Sequence, residues 1–165
     1  MTPEDLVEME LIKRLKYRYM RGIDRKLWDE LETCFTDDAT AAYSGGHYSF
    51  TGREAIMEFL RGSMSSEQFL SSHRVHHPEI DLTSPTTATG VWALEDTVII
   101  ADAGLTIRGA AFYRDEYVKV DGDWKIAHTG YDRIFEEMGM RSDTPSLKLT
   151  ASFWATGGQS EIEIG

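Results

Sequence analysis

Three residues in this chain have side chains that could move a proton together: Tyr19, Asp24 and His76. An imidazole is mostly neutral near pH 7 and suits removal of a proton from an acidified carbon. A carboxylate beside it can orient the ring and stabilise the imidazolium. A phenol can donate to a developing oxyanion. Taken singly, each has a plainer role. Asp24 before Arg25-Lys26-Leu27 fits a helix cap, a histidine in an apolar strand row is commonly a satisfied core residue, and Tyr19 fits core packing. Spacing alone leaves both roles open, so the elements that carry these residues decide whether they can meet.

Thr2 caps a first helix, with Pro3, Glu4 and Asp5 in its opening turn. Ile12, Leu15, Tyr19 and Ile23 recur at steps of three and four, which predicts one buried stripe up to about Gly22. Leu27, Leu31 and Phe35, with Trp28 alongside, predict a second short helix, so Asp24 falls at a turn. Ala39 to Tyr43 and Tyr48 to Phe50 flank Ser44-Gly45-Gly46-His47 and predict a hairpin. Thr51-Gly52-Arg53-Glu54 has capping-box spacing ahead of a third helix bearing Ile56, Phe59 and Leu60. Ser63 to Ser72 is expected to be a polar connection.

From His73 onward the pattern changes to strands over about 73–83, 86–101, 105–120 and 123–136, broken by Ser84-Pro85, Asp102-Ala103-Gly104 and Asp121-Gly122. Helices followed by a meander predict an α+β fold, a strongly curved, cone-shaped antiparallel sheet closed by about three N-terminal helices. The expected domain spans 1–141. The tail, 142–165, with Leu147, Leu149, Phe153 and Trp154, is expected to pack on the mouth of the cone or on a neighbouring subunit.

Strand parity then sorts the polar residues. His76 shares a row with Ile80 and Leu82 and is expected to point inward, with His73 and His77 on the other face. Asp96 interrupts the row Trp92, Leu94, Val98, Ile100 and would need a partner if buried. Arg133, in a row with Thr129, Tyr131 and Phe135, is a suitable one. His128 falls in the row of Trp124 and Ile126. Trp92, Leu94, Ile80 and Phe112 are candidates for apolar walls.

Composition narrows the partners. Seventeen basic against 28 acidic residues give a formal charge of −11, which disfavours nucleic acid and anionic membranes. Cys34, the only cysteine, has no internal partner and lies on the second helical stripe, and the first residues lack a basic-then-apolar leader, so a cytoplasmic setting is expected. Apolar runs such as Val98 to Ala101 are too short to span a bilayer. Parity separates the histidines and argues against a metal site, and neither a phosphate loop nor a nucleophile elbow is present. The expected ligand is an apolar small molecule.

Tyr19-Met20-Arg21-Gly22-Ile23-Asp24, Trp28-Asp29-Glu30-Leu31, His76-His77-Pro78-Glu79-Ile80, Leu94-Glu95-Asp96, Gly109-Ala110-Ala111-Phe112-Tyr113 and Gly130-Tyr131-Asp132-Arg133-Ile134 resemble the SnoaL-like branch of the nuclear transport factor 2-like superfamily. Within it the chain is most similar to bile acid 7α-dehydratase, and the branch includes scytalone dehydratase and hexachlorocyclohexane dehydrochlorinase. The resemblance covers roughly residues 5 to 141. It implies a cone-shaped pocket, a lyase needing no cofactor, and a homo-oligomer, a trimer or a dimer. It implies catalytic roles for Tyr19, Asp24 and His76, and substrate contacts from Asp96 and Arg133. Trp92, Phe112 and Tyr131 are expected beside them. The implied reaction is dehydration of a hydroxylated carbonyl compound, steroid-like or polycyclic. A ketosteroid-isomerase type of proton transfer and a non-catalytic ligand-binding module are the alternatives. The 63–73 connection, Gly22 and the tail depart from the bile acid enzyme.

Overall fold

The computed structural model describes residues 1–163; Ile164 and Gly165, the end of the expected tail, lie outside the described residues. Helix α1 spans Pro3–Asp24, capped by Thr2 in a reciprocal arrangement with Asp5. Its buried stripe is Ile12, Leu15, Lys16, Tyr19, Met20 and Ile23, so a lysine sits among the apolar residues. Helix α2 is a short Trp28–Glu32, and Phe35 opens strand β1 (Phe35–Tyr43) instead of extending the helical stripe. Strand β2 is Tyr48–Thr51 and helix α3 is Arg53–Met64. The cap of α3 is Gly52, at φ 91°, with no side-chain hydrogen bond, so the expected Thr51 box does not form.

Four long strands follow: β3 (Phe69–Ser84), β4 (Thr87–Ile100), β5 (Leu105–Val120) and β6 (Asp123–Met140). They form one six-stranded sheet in the order β2-β1-β6-β5-β4-β3. The meander pairs antiparallel as expected, but β1 lies parallel to β6, which makes the sheet mixed and leaves it open between β2 and β3. At Gly130, on β6, an added Cβ would stand 2.6 Å from the carbonyl oxygen of Ala42, so the parallel pairing requires a residue without a side chain there. Strands this long must twist and carry bulges. Register shifts occur between His76 and Glu79 on β3 and between Phe35 and Thr40 on β1. Two more separate Tyr117/Ile126 from Glu116/His128, and Ala111/Arg133 from Ala110/Phe135, along β5 and β6.

The concave face packs on α1 and α3. Its core includes Ile12, Tyr19, Leu31, Phe35, Ile56, Leu60, Trp92, Tyr113, Tyr117 and Ile126. No helix among the described residues is long and apolar enough to cross a membrane.

Each bulge reverses the parity beyond it, because one extra residue moves every following side chain to the opposite face. On β3, three steps from His76 to Glu79 oppose two from Ala93 to Val91, and His77 adopts φ 28° beside Pro78. Ile80 and Leu82 therefore share the concave face with Val75, His73 and Ser71, while His76 points out and is 47% exposed. The expected inward direction of His76 is corrected to His73. On β6, Ala127 is the extra residue, so His128 leaves the row of Trp124 and Ile126 and its Nδ1 lies 2.7 Å from Thr40 Oγ1. Ile134 is the extra residue further on, and Phe135 is exposed instead of sharing the row of Arg133.

Candidate active site

Asp24 is the last residue of α1, where the helix dipole presents partial negative charge. A carboxylate in that position costs about 0.3–1 kcal/mol before anything compensates it. Three hydrogen bonds from β3 do so. Ser71 Oγ donates to Oδ1 at 2.8 Å, the His73 backbone N–H donates to Oδ2 at 2.8 Å, and His73 Nδ1 lies 2.7 Å from Oδ1. An ionised carboxylate only accepts, so the Nδ1 contact places the proton of a neutral His73 on Nδ1 and leaves Nε2 with its lone pair. Among the described residues no protein group hydrogen-bonds Nε2. The His73 side chain is 10% exposed and that of Asp24 21%, so the pair is shielded but reachable.

The turn after Asp24 is held in place. Lys26 takes φ 54° and its ammonium donates to the carbonyls of Met64 and Phe69 at 2.7 and 2.8 Å. One side chain thereby ties the end of α1 to both ends of the connection that delivers β3. Phe153 and Trp154 of the tail stack over the cations of Arg25 and Lys26, at 3.8 and 4.8 Å from the ring centroids. The tail also walls a space of about 340 Å³ that reaches Asp24 and Ser71.

His73 lines a cavity of about 130 Å³ whose other walls are Tyr19, Ile23, Tyr43, Tyr48, Phe59, Leu60, Met64, Tyr113 and Tyr131. Tyr19 and Tyr43 share a hydrogen bond of 3.0 Å between their hydroxyls, and Tyr131 bonds Ser44 Oγ at 3.1 Å. Burial drives the phenols of Tyr19, Tyr43 and Tyr113 well above the ordinary tyrosine range, so they stay protonated and able to donate. His73 and Asp24 also border an outer groove with Tyr17, Arg21, Arg25 and Arg74, so the pair stands between the cavity and the surface.

Asp96 is the cross-strand partner of His73 and shares its face. It is 4% exposed and receives a two-pronged ion pair from the Arg133 guanidinium. Burial works against the charge of Arg133, and Asp96 overcomes this and raises its pKa further. Gly109 makes room for it: an added Cβ would stand 2.6 Å from Arg133 Nη1.

Of the expected site residues, Tyr19, Asp24 and Tyr131 reach this region, and Asp96 with Arg133 stands beside His73 without lining the cavity. His76 does not reach the cavity and borders only the outer groove; its nearest acidic contact is Glu95 at 3.9 Å. Phe112 alternates with buried Ala111 and Tyr113, faces outward and is 40% exposed. Trp92 is fully buried in the core, where its Nε1 donates to Tyr117 at 2.9 Å. Both are corrected as cavity walls. Sequence reasoning missed His73, Ser71, Tyr43 and Tyr113. Pro78 was the available signal, since proline inside a strand is confined to edges and bulges. A bulge there moves the inward histidine from 76 to 73. Among the described residues, no three His, Cys, Asp or Glu side chains are grouped to hold a metal ion.

Residues 4–130 match the model of the SnoaL-like domain. The chain belongs to that family. Among solved structures, this SnoaL-like chain is similar to a protein from Novosphingobium aromaticivorans assigned as a scytalone dehydratase. The two are 27% identical over 83% of this chain and 91% of the other, with a TM-score of 0.76. A hexachlorocyclohexane dehydrochlorinase from Novosphingobium barchaimii matches at 18% identity over 82% and 92%, with a TM-score of 0.73. A Mycobacterium tuberculosis protein of unknown function matches at 25% identity over 91% and 83%, with a TM-score of 0.69. The second of these speaks for the fold alone.

Proposed function

We propose that this SnoaL-like protein is a cofactor-independent lyase, a dehydratase acting on a hydroxylated carbonyl compound with His73 as general base. The observation that carries the reading is the Asp24–His73 pair. One ring nitrogen is fixed by a carboxylate 2.7 Å away and the ring borders an aromatic cavity. Loss of water and loss of hydrogen chloride, named in two of the similar structures, are both eliminations, which supports this class of reaction.

In this mechanism His73 Nε2 removes the proton α to the carbonyl. The electron pair moves to the carbonyl oxygen, and the enolate is held by phenol donors at Tyr19 and its neighbours. Asp24 stabilises the imidazolium. The enolate then collapses, the carbon–oxygen bond to the β-hydroxyl breaks, and the imidazolium proton leaves with it as water. Base and proton are restored, and the product is the unsaturated carbonyl compound. A cavity of about 130 Å³ takes one ring at a time. In a polycyclic substrate the reacting ring occupies it and the remainder lies in the outer groove that His73 and Asp24 also border.

The test is to incubate the protein with a panel of β-hydroxy ketones, from monocyclic to steroidal, and follow product mass. Products lighter by one water, formed by wild type and not by Asp24→Asn, support the reading. Products of unchanged mass indicate isomerisation, and turnover by Asp24→Asn within a few-fold of wild type contradicts the role of the pair.

A further inference from the structure

Behind the cavity lies a second buried ionic pair that the elimination mechanism does not use. Lys16, one turn before Tyr19 on α1, is fully buried, and its ammonium stands 2.7 Å from the carboxylate of Asp115 on β5, also sealed from solvent. Asp115 is completed by two hydroxyl donors, Tyr117 at 2.6 Å and Thr129 at 2.7 Å. Burial pulls the Lys16 pKa down, and the Asp115 carboxylate opposes that pull. Replacing such a pair by apolar groups of similar size is often neutral or stabilising, so stability gives little reason for it.

Its orientation gives a better one. Lys16 Nζ lies 3.5 Å from the ring centroid of Tyr113 and 4.9 Å from that of Tyr19, both walls of the cavity. Asp115 lines no part of that cavity. The positive end of the pair therefore stands against the phenol rings, while the carboxylate lies behind it and acts on the same phenols in the opposite sense. A cation on a ring face draws electron density from the ring and strengthens the phenol as a donor. In a water-poor interior that field is weakly screened. We propose that Lys16, anchored by Asp115, is a positioning residue that acts through Tyr113 and Tyr19 to make the cavity prefer an oxyanion over the neutral form of the same ligand. The inference rests on the elimination reading only in identifying that oxyanion with the enolate.

The test uses 4-nitrophenol, which absorbs differently as phenol and as phenolate, so the bound protonation state is read directly. Lys16→Met alone would strand Asp115 and could fail to fold, so the informative variant is Lys16→Met/Asp115→Asn. It removes both charges, and the amide oxygen accepts from one of the Thr129 and Tyr117 hydroxyls while the amide NH2 donates to the other; circular dichroism and thermal unfolding establish that it is folded. The expected result is that the ratio of phenolate to phenol affinity falls at least about tenfold from wild type to the double variant, one unit of bound-ligand pKa. An equal ratio in the two proteins, or no binding of either form to wild type, overturns the inference. No turnover is involved. A failure of the ketone assay with an intact nitrophenolate preference therefore sinks the elimination reading and not this one, and the reverse pattern does the opposite.

Discussion

Helix α1 is joined to the concave sheet by two ionic pairs two turns apart, and they are built to opposite specifications. At Lys16 and Asp115 both side chains are sealed from solvent and every oxygen of the carboxylate is engaged. At Asp24 and His73 the carboxylate is equally well satisfied, but among the described residues the histidine keeps one nitrogen without a protein partner, and it lines a cavity. The first pair can only shape a field, whereas the second has an atom left over for a substrate. A buried charge by itself therefore does not mark the reacting group; an oriented group with an unspent valence at a cavity wall does.

The contrast yields predictions that differ in kind. Asp24→Asn should lower kcat for elimination on the order of 10³–10⁴-fold, by loosening the His73 ring and removing the carboxylate that stabilises its imidazolium, with the folded spectrum retained. Lys16→Met should appear most strongly in stability. It strands Asp115, and chemical denaturation should show a loss of about 3–5 kcal/mol, most of it recovered when Asp115→Asn is added. If the single variant is as stable as wild type, the pair is not buried as described. Gly109→Ala should cost about 1–3 kcal/mol, because its Cβ would displace the Arg133 guanidinium from Asp96.

Alkaline pH separates the two regions more gently. Burial raises the phenols of Tyr19, Tyr43, Tyr113 and Tyr117 above their unfolded values, so their contribution is complete below the unfolded pKa of ~10 and is lost as pH rises through the folded values. Unfolding free energy should accordingly hold up to about pH 10 and fall beyond it. Cys34 is expected to show the smallest effect. Its thiol is buried and pushed up to about 11, so a thiol reagent at neutral pH should label it only when the chain unfolds.

Much of this was legible in the residues. The stripe Ile12, Leu15, Tyr19, Ile23 and the four long strands led to an α+β fold, and Asp24 could be placed at the helix end. The histidine could not be placed by alternation, because alternation assumes a regular ladder and β3 carries an extra residue at His77 and Pro78. The same assumption misplaced His128 and Phe135 around the bulges on β6. Phe112 failed for a simpler reason: its strand alternates Ala111, Tyr113 and Asp115 inward, so a large apolar residue was given a face that smaller and more polar neighbours occupy. Lys16 was hidden by the habit of reading only apolar residues in a helical stripe, although its position between Ile12 and Tyr19 is as regular as theirs. The parallel pairing of β1 with β6 joins strands distant in sequence and has no local signature.

The central claim is that the bulge puts His73, and not His76, against Asp24. Its most direct measurement is the elimination rate of His73→Ala beside that of His76→Ala on the same hydroxy-ketone. The account predicts a loss of about 10²–10⁴-fold for the first and a far smaller change for the second, whose side chain borders the outer groove and not the cavity. A collapse of activity in His76→Ala with His73→Ala near wild type would contradict it.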